Sequence, residues 1–516
     1  MIELCKSKYA HHIVNKMMKY GNKEKVINRL LGHCMELLKH QFGASVIEEA
    51  FSERANSRQR CAMVEEFYGA EFAVFKPEKK RQLAQVLAEA PAKRAAILER
   101  LKDALSALLN KDHVPDCTLF HHVAAAYFSV CDVAGAVEIE TLLREQLVRM
   151  VHTREGVCVA LRCVEVASAK DRKAMIKSLK GHVADAARDS QGHLYVMALL
   201  DRTDDTELLK SALLEPLADA LPDLATHTYG HLPLLHVLAP RCSRYFHPVA
   251  IKDMTFATDG TPACTTKKPA AQRRKELLAF LLPRLVAFCK ESAPQLLCSV
   301  YGARILAETF WAAEAPEDVQ ALAAAIAQAY AQTPATIEAE AAAAAKRLAK
   351  KGKKRRHQED LTEDYQDHLH DSENEEEENE DEEEEGEEEE EEGEKEKEEK
   401  KKMEVEAEAG AETAPGVNQV GNRWIQKILK EKDEGKAEKV AALWKALFDA
   451  IEERLGEWAE HRRLAFIVAT LLSNVPEGGE SKKSIKAKVA KKVDMTTLDE
   501  KLPGHKLLIA AIKELK

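Results

Sequence analysis

The chain has 516 residues and a formal net charge of −11, a length that allows about three ordinary domains at ~150 residues each. The charge is concentrated: Glu359 to Glu399 holds 27 acidic residues against Lys395 and Lys397, which leaves 74 basic and 60 acidic residues, or +14, on the rest. A hydrophobic content of 45 % excludes a globally disordered chain, and no apolar run approaches the roughly 18–20 residues of a membrane-spanning helix.

The first residues, Met1 to Lys6, lack the basic-then-apolar pattern of a secretory leader. The eleven cysteines form no CxxC pair, so they are expected to be reduced core residues of an intracellular, soluble protein rather than disulfides or a zinc site.

From the N-terminus onward the apolar residues recur at three- and four-residue spacing, as in Val26, Ile27, Leu30, Leu31, Met35 and Leu38, which predicts helices. Aromatics at 5 % and the absence of sustained alternation argue against sheet. A phrase then repeats along the chain: an aromatic or small residue, Gly, two variable positions, and an apolar helix. It occurs at Tyr9-Ala10, Phe42-Gly43, Gly156, Gly192, Tyr229-Gly230, Tyr301-Gly302 and Gly421. Ala10 to Gly43 is 33 residues, Gly156 to Gly192 is 36, and Gly192 to Gly230 is 38. Gly230 to Gly302 is 72, twice 36; Gly43 to Gly156 is 113, about three periods, with Phe120 fitting one missing copy. A helical period near 36 predicts stacked two-helix units, with glycine letting the chain turn sharply into the next helix.

Two interruptions are expected. Residues 241–272, with Asp259-Gly260 and several prolines, read as a long loop between repeats. Residues 336–413 run from an Ala-rich stretch through a basic cluster into the Glu run and read as a disordered linker, since they cannot bury enough apolar surface to offset their ordering entropy. The expected domains are therefore 1–335, 336–413 and 414–516. Repeats resume at Gly421, continue through Arg462 to Ile467, and close with a helix that starts at Pro503-Gly504-His505.

The segments Lys6 to Asn15 and Phe42 to Glu48 resemble the second helix of Pumilio (PUF) repeats. Gln59 to Gly69 with Phe72 and Phe75, His152 to Gly156, Asp171 to Lys177 and Thr203 to Lys210 resemble the divergent Penguin branch of that family. The similarity covers about Leu4 to Ala335 and Gly416 to Leu515, and is specific in the first half. It implies an all-α, right-handed superhelical solenoid of armadillo/HEAT-like build, interrupted by the acidic loop. It also implies a monomeric nucleolar protein that binds RNA, and duplex DNA, largely without base specificity in ribosome assembly. The branch has further repeats upstream, so the natural protein is expected to be longer.

In base-reading PUF proteins each second helix presents three side chains to one base. The resemblance places these trios here at His11, His12, Asn15; Ala44, Ser45, Glu48; Val157, Cys158, Leu161; His193, Leu194, Met197; His231, Leu232, Leu235; Ala303, Arg304, Ala307; and Asn422, Arg423, Gln426. Only the last offers an amide pair with a flat stacking group, so a modular base code is not expected. Charge should carry binding instead, through Lys6, Lys8, Lys16, Lys19, Arg154, Arg172, Lys173, Lys177, Arg304, Arg423, Lys427, Arg462 and Arg463, with His11 and His12 stacking or touching phosphate.

No catalytic motif, cofactor fingerprint or metal-ligand spacing is found. Gly416 to Gly421 imitates a phosphate loop but has Asn422 where Lys is required. Adjacent pairs such as His121-His122 diverge by about 100° on a helix and cannot chelate. Lys346, Arg347, Lys350, Lys351, Lys353, Lys354, Arg355 and Arg356 fit a bipartite nuclear-import signal, and Lys482, Lys483, Lys486, Lys488, Lys491 and Lys492 form a second basic patch. The Glu run fits basic ribosomal proteins or competition with phosphate for the protein's own basic surface. The alternative readings are a scaffold for peptides or ribosomal proteins and an mRNA-binding translational repressor.

Overall fold

The helices that follow the recurring glycines start where they do because of a residue three positions upstream. The Thr153 hydroxyl accepts from the Gly156 N–H at 3.0 Å, the Asp189 carboxylate from Gly192 at 2.7 Å, His227 Nδ1 from Gly230 at 3.2 Å and the Ser299 hydroxyl from Gly302 at 3.3 Å. Each satisfies an N–H that the helix itself leaves unpaired. The glycine has a separate reason. A Cβ on Gly156 would lie 2.0 Å from the Met150 carbonyl oxygen, on Gly43 2.6 Å from that of Leu37, and on Gly192 2.8 Å from that of Ala186. In each case the clash is with the residue six earlier, at the end of a short helix that abuts the new one.

That short helix is an element the two-helix expectation lacked. The repeat runs outer helix, short helix, tight turn and long inner helix, as in Val133–Leu143, Leu147–Met150 and Arg154–Val166.

The computed structural model describes residues 1–69, 82–255, 265–331, 419–461, 464–476, 482–499 and 501–514. Among them no strand occurs, and no helix is long and apolar enough to cross a membrane. The inner helices of the first part are α1 (His11–Tyr20), α2 (Gln41–Glu48), α3 (Thr118–Val130), α4 (Arg154–Val166), α6 (Gly192–Arg202) and α7 (His231–Leu238). They pack side by side in that order as a single row. The outer helix between α4 and α6 is α5 (Ala169–Ser178). After α7 come the 29-residue α8 (Ala270–Cys298), α9 (Val300–Ala312), α10 (Gln419–Leu429), α11 (Ala465–Ser473) and α12 (Pro503–Glu514). In the second part α9, α10, α11 and α12 form a row of their own.

The chain divides into two compact units, Met1–Leu281 and Leu282–Lys516, so the division falls inside α8. The composition-based limits at 335 and 413 both fall within residues 332–418, which lie outside the described residues and include the Glu run and the Lys346–Arg356 cluster. On either side of them α9 and α10 are direct neighbours, and a Cβ on Gly421 would lie 2.7 Å from the Leu297 carbonyl oxygen at the end of α8. The whole segment is therefore an insertion between two consecutive inner helices, as the resumption of the phrase at Gly421 predicts.

Two spacings read as whole periods are corrected. The Phe120 copy is real, being α3, but α3 is the direct neighbour of α2. Glu48 accepts from the Thr118 N–H at 2.6 Å and from the Thr118 hydroxyl, so among the described residues between them there is no further inner helix of the row. Likewise, among the described residues between Leu238 and Ala270 only Pro248–Asp253 is helical, so those residues hold no hidden two-helix unit. Part of the expected loop is fixed in place, because the Thr265 hydroxyl donates to the Ala167 carbonyl at 2.7 Å and Asp204 accepts from the Lys267 and Lys268 N–H groups at 2.7 and 3.2 Å.

Candidate nucleic-acid interface

In the first unit four histidines among the described residues stand immediately after the glycine of the phrase, or its equivalent, and all four are buried: His11, His121, His193 and His231. Three of them donate from Nδ1 to the carbonyl four residues back, His11 to Ser7 at 3.0 Å, His193 to Asp189 at 3.0 Å and His231 to His227 at 2.9 Å. His121 donates from Nε2 to the Pro115 carbonyl and accepts from the Thr153 hydroxyl, both at 2.8 Å, which ties α3 to the start of α4. Burial pulls both His121 and His193 down to about 4, so they are neutral near pH 7.

The aromatic of the repeating phrase completes this joint. Phe42 stacks on His11 of the preceding helix with centroids 5.2 Å apart, and Tyr229 stacks on His193 at 5.4 Å. His11 is thus a packing group, and its expected role against base or phosphate is withdrawn.

The other expected positions divide by the same logic. In every trio carried over from the resemblance the first residue is buried (His11, Ala44, Val157, His193, His231, Ala303, Asn422), because it faces the neighbouring helix. The second is exposed at His12, Ser45, Cys158 and Arg423. The third is half-buried only at Asn15, Glu48 and Gln426, and Glu48 is engaged with Thr118. From α4 to α7 the third positions are buried aliphatics or Met197, so the middle of the row offers a base edge nothing to hydrogen-bond.

Several expected phosphate ligands are occupied elsewhere. Arg172 is only 1 % exposed, donating to the Val164 and Glu165 carbonyls at 2.9 and 3.2 Å and to the Thr265 hydroxyl. It caps the C-terminus of α4, where the unpaired carbonyls carry partial negative charge. The same device recurs: Arg60 donates to Phe51 and Ser52 carbonyls at 2.8 and 2.9 Å, Arg94 to Val130 at 2.8 Å, Arg274 to Val237 at 3.1 Å, Lys439 to Trp311 at 2.7 Å, and Arg273 to Asp201.

Lys6 is held by Glu3 at 3.2 Å and by Glu36. Lys173 and Lys177 are exposed, but on the outer helix α5 rather than in the inner row with Arg154. Arg462 and Arg463 lie outside the described residues, as do the side chains of Lys482, Lys483 and Lys486. Lys488 of that second patch is paired with Glu452 at 3.1 Å.

What the structure does bring together are two surfaces, one in each unit. On α1, Lys16 is exposed between Lys8, whose ammonium lies 5.6 Å from the ring centroid of Tyr9, and Lys19, 5.3 Å from that of Tyr20. The two rings are 78 % and 77 % exposed, and Ile13 and Met17 are exposed beside them. On α10, Arg423, Gln426 and Lys427 line one cleft of about 390 Å³ with Lys430 and Glu431, and Lys427 lies 5.0 Å from the Trp424 ring centroid. Arg304 on α9 likewise lies 5.6 Å from the Tyr301 ring. Tyr20, Trp424 and Lys430 were not singled out from the sequence, and Tyr9 only as the aromatic of the phrase; a cation one to three residues from the ring is the signal that marks the three aromatics. Among the described residues no group of His, Cys, Asp and Glu is placed to hold a metal ion.

These rows of capped inner helices define a helical-repeat protein of the Pumilio type. The family model described as Pumilio-family RNA binding repeat matches residues 1–31, 33–67 and 417–434, and that of the CPL (NUC119) domain matches 226–356. The chain carries Pumilio repeats and a CPL domain, and it is homologous to Pumilio homolog 3. It is 31 % identical to the Pumilio homolog 3 of Rattus norvegicus over 291 residues, 56 % of this chain and 44 % of that protein. It is 31 % identical to the human one over 301 residues, 58 % and 46 % of the two chains, so it spans less than half the length of these relatives. Its fold is that of human Puf-A, with a TM-score of 0.74 at 23 % identity over 99 % of this chain and 85 % of the other; Puf-A has also been crystallised in complex with DNA, with the same score.

Proposed function

We propose that this chain is a non-enzymatic RNA-binding protein that holds the sugar–phosphate strand by charge and ring stacking, without a modular base code. The observation that carries the reading is the α1 surface, where Lys8, Lys16 and Lys19 stand among the exposed rings of Tyr9 and Tyr20. Ammonium groups meet phosphates whatever the sequence, and any base presents a face to a ring. The α10 cleft repeats the chemistry with Arg423, Lys427, Lys430 and Trp424. The burial of the base-facing positions from α4 to α7 supports sequence tolerance, and duplex DNA falls within the same chemistry.

The resemblance to the Penguin branch supports a nucleolar setting, with pre-ribosomal RNA as the strand and the Lys346–Arg356 cluster as the import signal. The acidic run is then a competitor for the basic surfaces or a dock for basic ribosomal proteins. The test is the affinity for unrelated RNAs measured between about 50 and about 200 mM salt, where a fall of about 100-fold, shared by all sequences, is expected for some four phosphate contacts. Salt-independent binding, or binding confined to one sequence, contradicts the reading.

A further inference from the structure

A cavity of about 760 Å³ opens within the first unit where the ends of α6 and α7 meet the start of α8. Its lining is cationic: Arg202, Arg241, Lys268, Arg273 and Arg274 stand with the carboxylate of Asp201, while Asp204 pairs with Arg273 at 3.0 Å and Glu276 with Lys268 at 2.8 Å. Asp201 is spent on His236 at 2.8 Å and Arg241 at 2.9 Å, which hold it down at about 2 and keep it ionised. Capping accounts for part of this cluster, since Arg273 and Arg274 bind the carbonyl ends of α6 and α7. Five cations against the three carboxylates of Asp201, Asp204 and Glu276 still leave an excess of two positive charges at the cavity.

Arg241 is on the rim, in a backbone conformation (φ 51°) that residues other than glycine rarely adopt. Arg273 is 4 % exposed, yet its Nε is buried with no hydrogen-bond partner. Ala270 and Ala271 bring the first turn of the 29-residue α8 to the same wall, and the first main-chain bond there is from Arg273 N–H to the Pro269 carbonyl. The N–H groups of that turn and the helix dipole favour an anion. The apolar wall is made by Leu200, Val237, Pro240 and Leu277.

We propose that this cavity binds a nucleoside monophosphate, with the phosphate at the start of α8 among Arg241, Lys268 and Arg273 and the base against the apolar wall. The volume lies in the range of small-molecule sites and exceeds what one inorganic anion fills. The ligand is either a free nucleotide or the 5′-phosphorylated end of an RNA strand, since both present the same group. The site does not depend on the α1 surface.

The experiment is calorimetric titration of the full chain with adenosine 5′-monophosphate, adenosine and an acidic peptide. The monophosphate is expected to bind at least about tenfold more tightly than adenosine. The double variant Arg241→Glu, Lys268→Glu, which spares the capping arginines, should lose about tenfold or more, and Arg241→Ala, the milder change, a smaller part of it. Hydrogen exchange should slow over the first turn of α8 when the monophosphate is present. A variant reversing Lys8, Lys16 and Lys19 should weaken long RNA and leave the monophosphate unchanged, which separates this site from the strand-binding reading. Short RNA with a 5′-phosphate binding more tightly than its 5′-hydroxyl counterpart identifies the strand end as the source; equal affinities identify the free nucleotide. No binding of the monophosphate at millimolar concentration, equal binding of adenosine, preference for the peptide, or indifference to the double variant overturns the proposal.

Discussion

The first inner helix and the inner helices of the middle of the row share one backbone plan and differ in what they leave to solvent. On α1 the register that follows the buried His11 exposes His12, Lys16 and Lys19 with the rings of Tyr9 and Tyr20. On α6 the register that follows the buried His193 is filled by Leu194 and Met197, both buried. The same joint, a histidine bonded to a capping carbonyl and covered by the next repeat's aromatic, serves both. The repeat plan therefore fixes the stacking of helices and leaves the surface chemistry free, and binding capacity belongs to particular helices and not to the row as a whole.

Changes that attack the shared plan should have the largest effects. Gly156→Val places a side chain where even a Cβ would be 2.0 Å from the Met150 carbonyl, and is expected to cost about 4 kcal/mol or more in denaturant unfolding. Gly435, where the nearest atom to an added Cβ is a side-chain oxygen at 3.5 Å, is the control and should tolerate alanine. Arg172→Ala uncovers the end of α4 and should cost about 2–3 kcal/mol, with the folded fraction binding RNA as before. If that variant lost RNA affinity while fully folded, the capping role assigned to Arg172 would be wrong.

Smaller effects separate the surfaces. Reversing Lys8, Lys16 and Lys19 to Glu should weaken unrelated RNAs alike by about 10- to 100-fold at moderate salt. Reversing Lys173 and Lys177, on the outer helix α5, should change affinity by less than about threefold in the same assay.

The histidine joint carries a pH signature. His121 and His193 titrate at about 4 in the folded chain against 6.5 in a free histidine, so as pH falls from about 6.5 to about 4 the unfolded chain takes up protons that the folded one refuses, and stability falls. Glu140, raised by burial to about 7, and Glu66, also raised by burial, act in the opposite sense over part of that window, while His122 and His227, lowered by burial, act with the first two histidines. Unfolding midpoints measured across that range should decline toward acid, and His193→Gln should flatten the slope.

Much of the architecture can be read in the residues themselves. The glycine phrase, its spacing and the aromatic before it locate α2, α4, α6, α7, α9 and α10, because tight turns and helix starts are decided by a handful of neighbouring side chains. The whole-period spacings failed at Gly43 to Phe120 and at Gly230 to Gly302, where insertions happen to approach the length of a repeat. The candidate interface was legible in part: Lys8, Lys16, Lys19, Arg423 and Lys427 are exposed beside rings, whereas His11, Arg172 and Asn422 are buried and Lys6 is paired.

What the sequence determined alone is the helical repeat and its joints, since capping, glycine turns and apolar spacing act within one or two turns of chain. The fate of each charge is settled instead by packing between repeats. An arginine on an outer helix looks the same in sequence whether it faces water or the carbonyl end of another repeat's helix, and the capping arginines draw on the same +14 that would otherwise be counted toward phosphate. Partners as distant as Arg172 and Thr265 meet only through packing, and electrostatic energy follows distance in space rather than position along the chain.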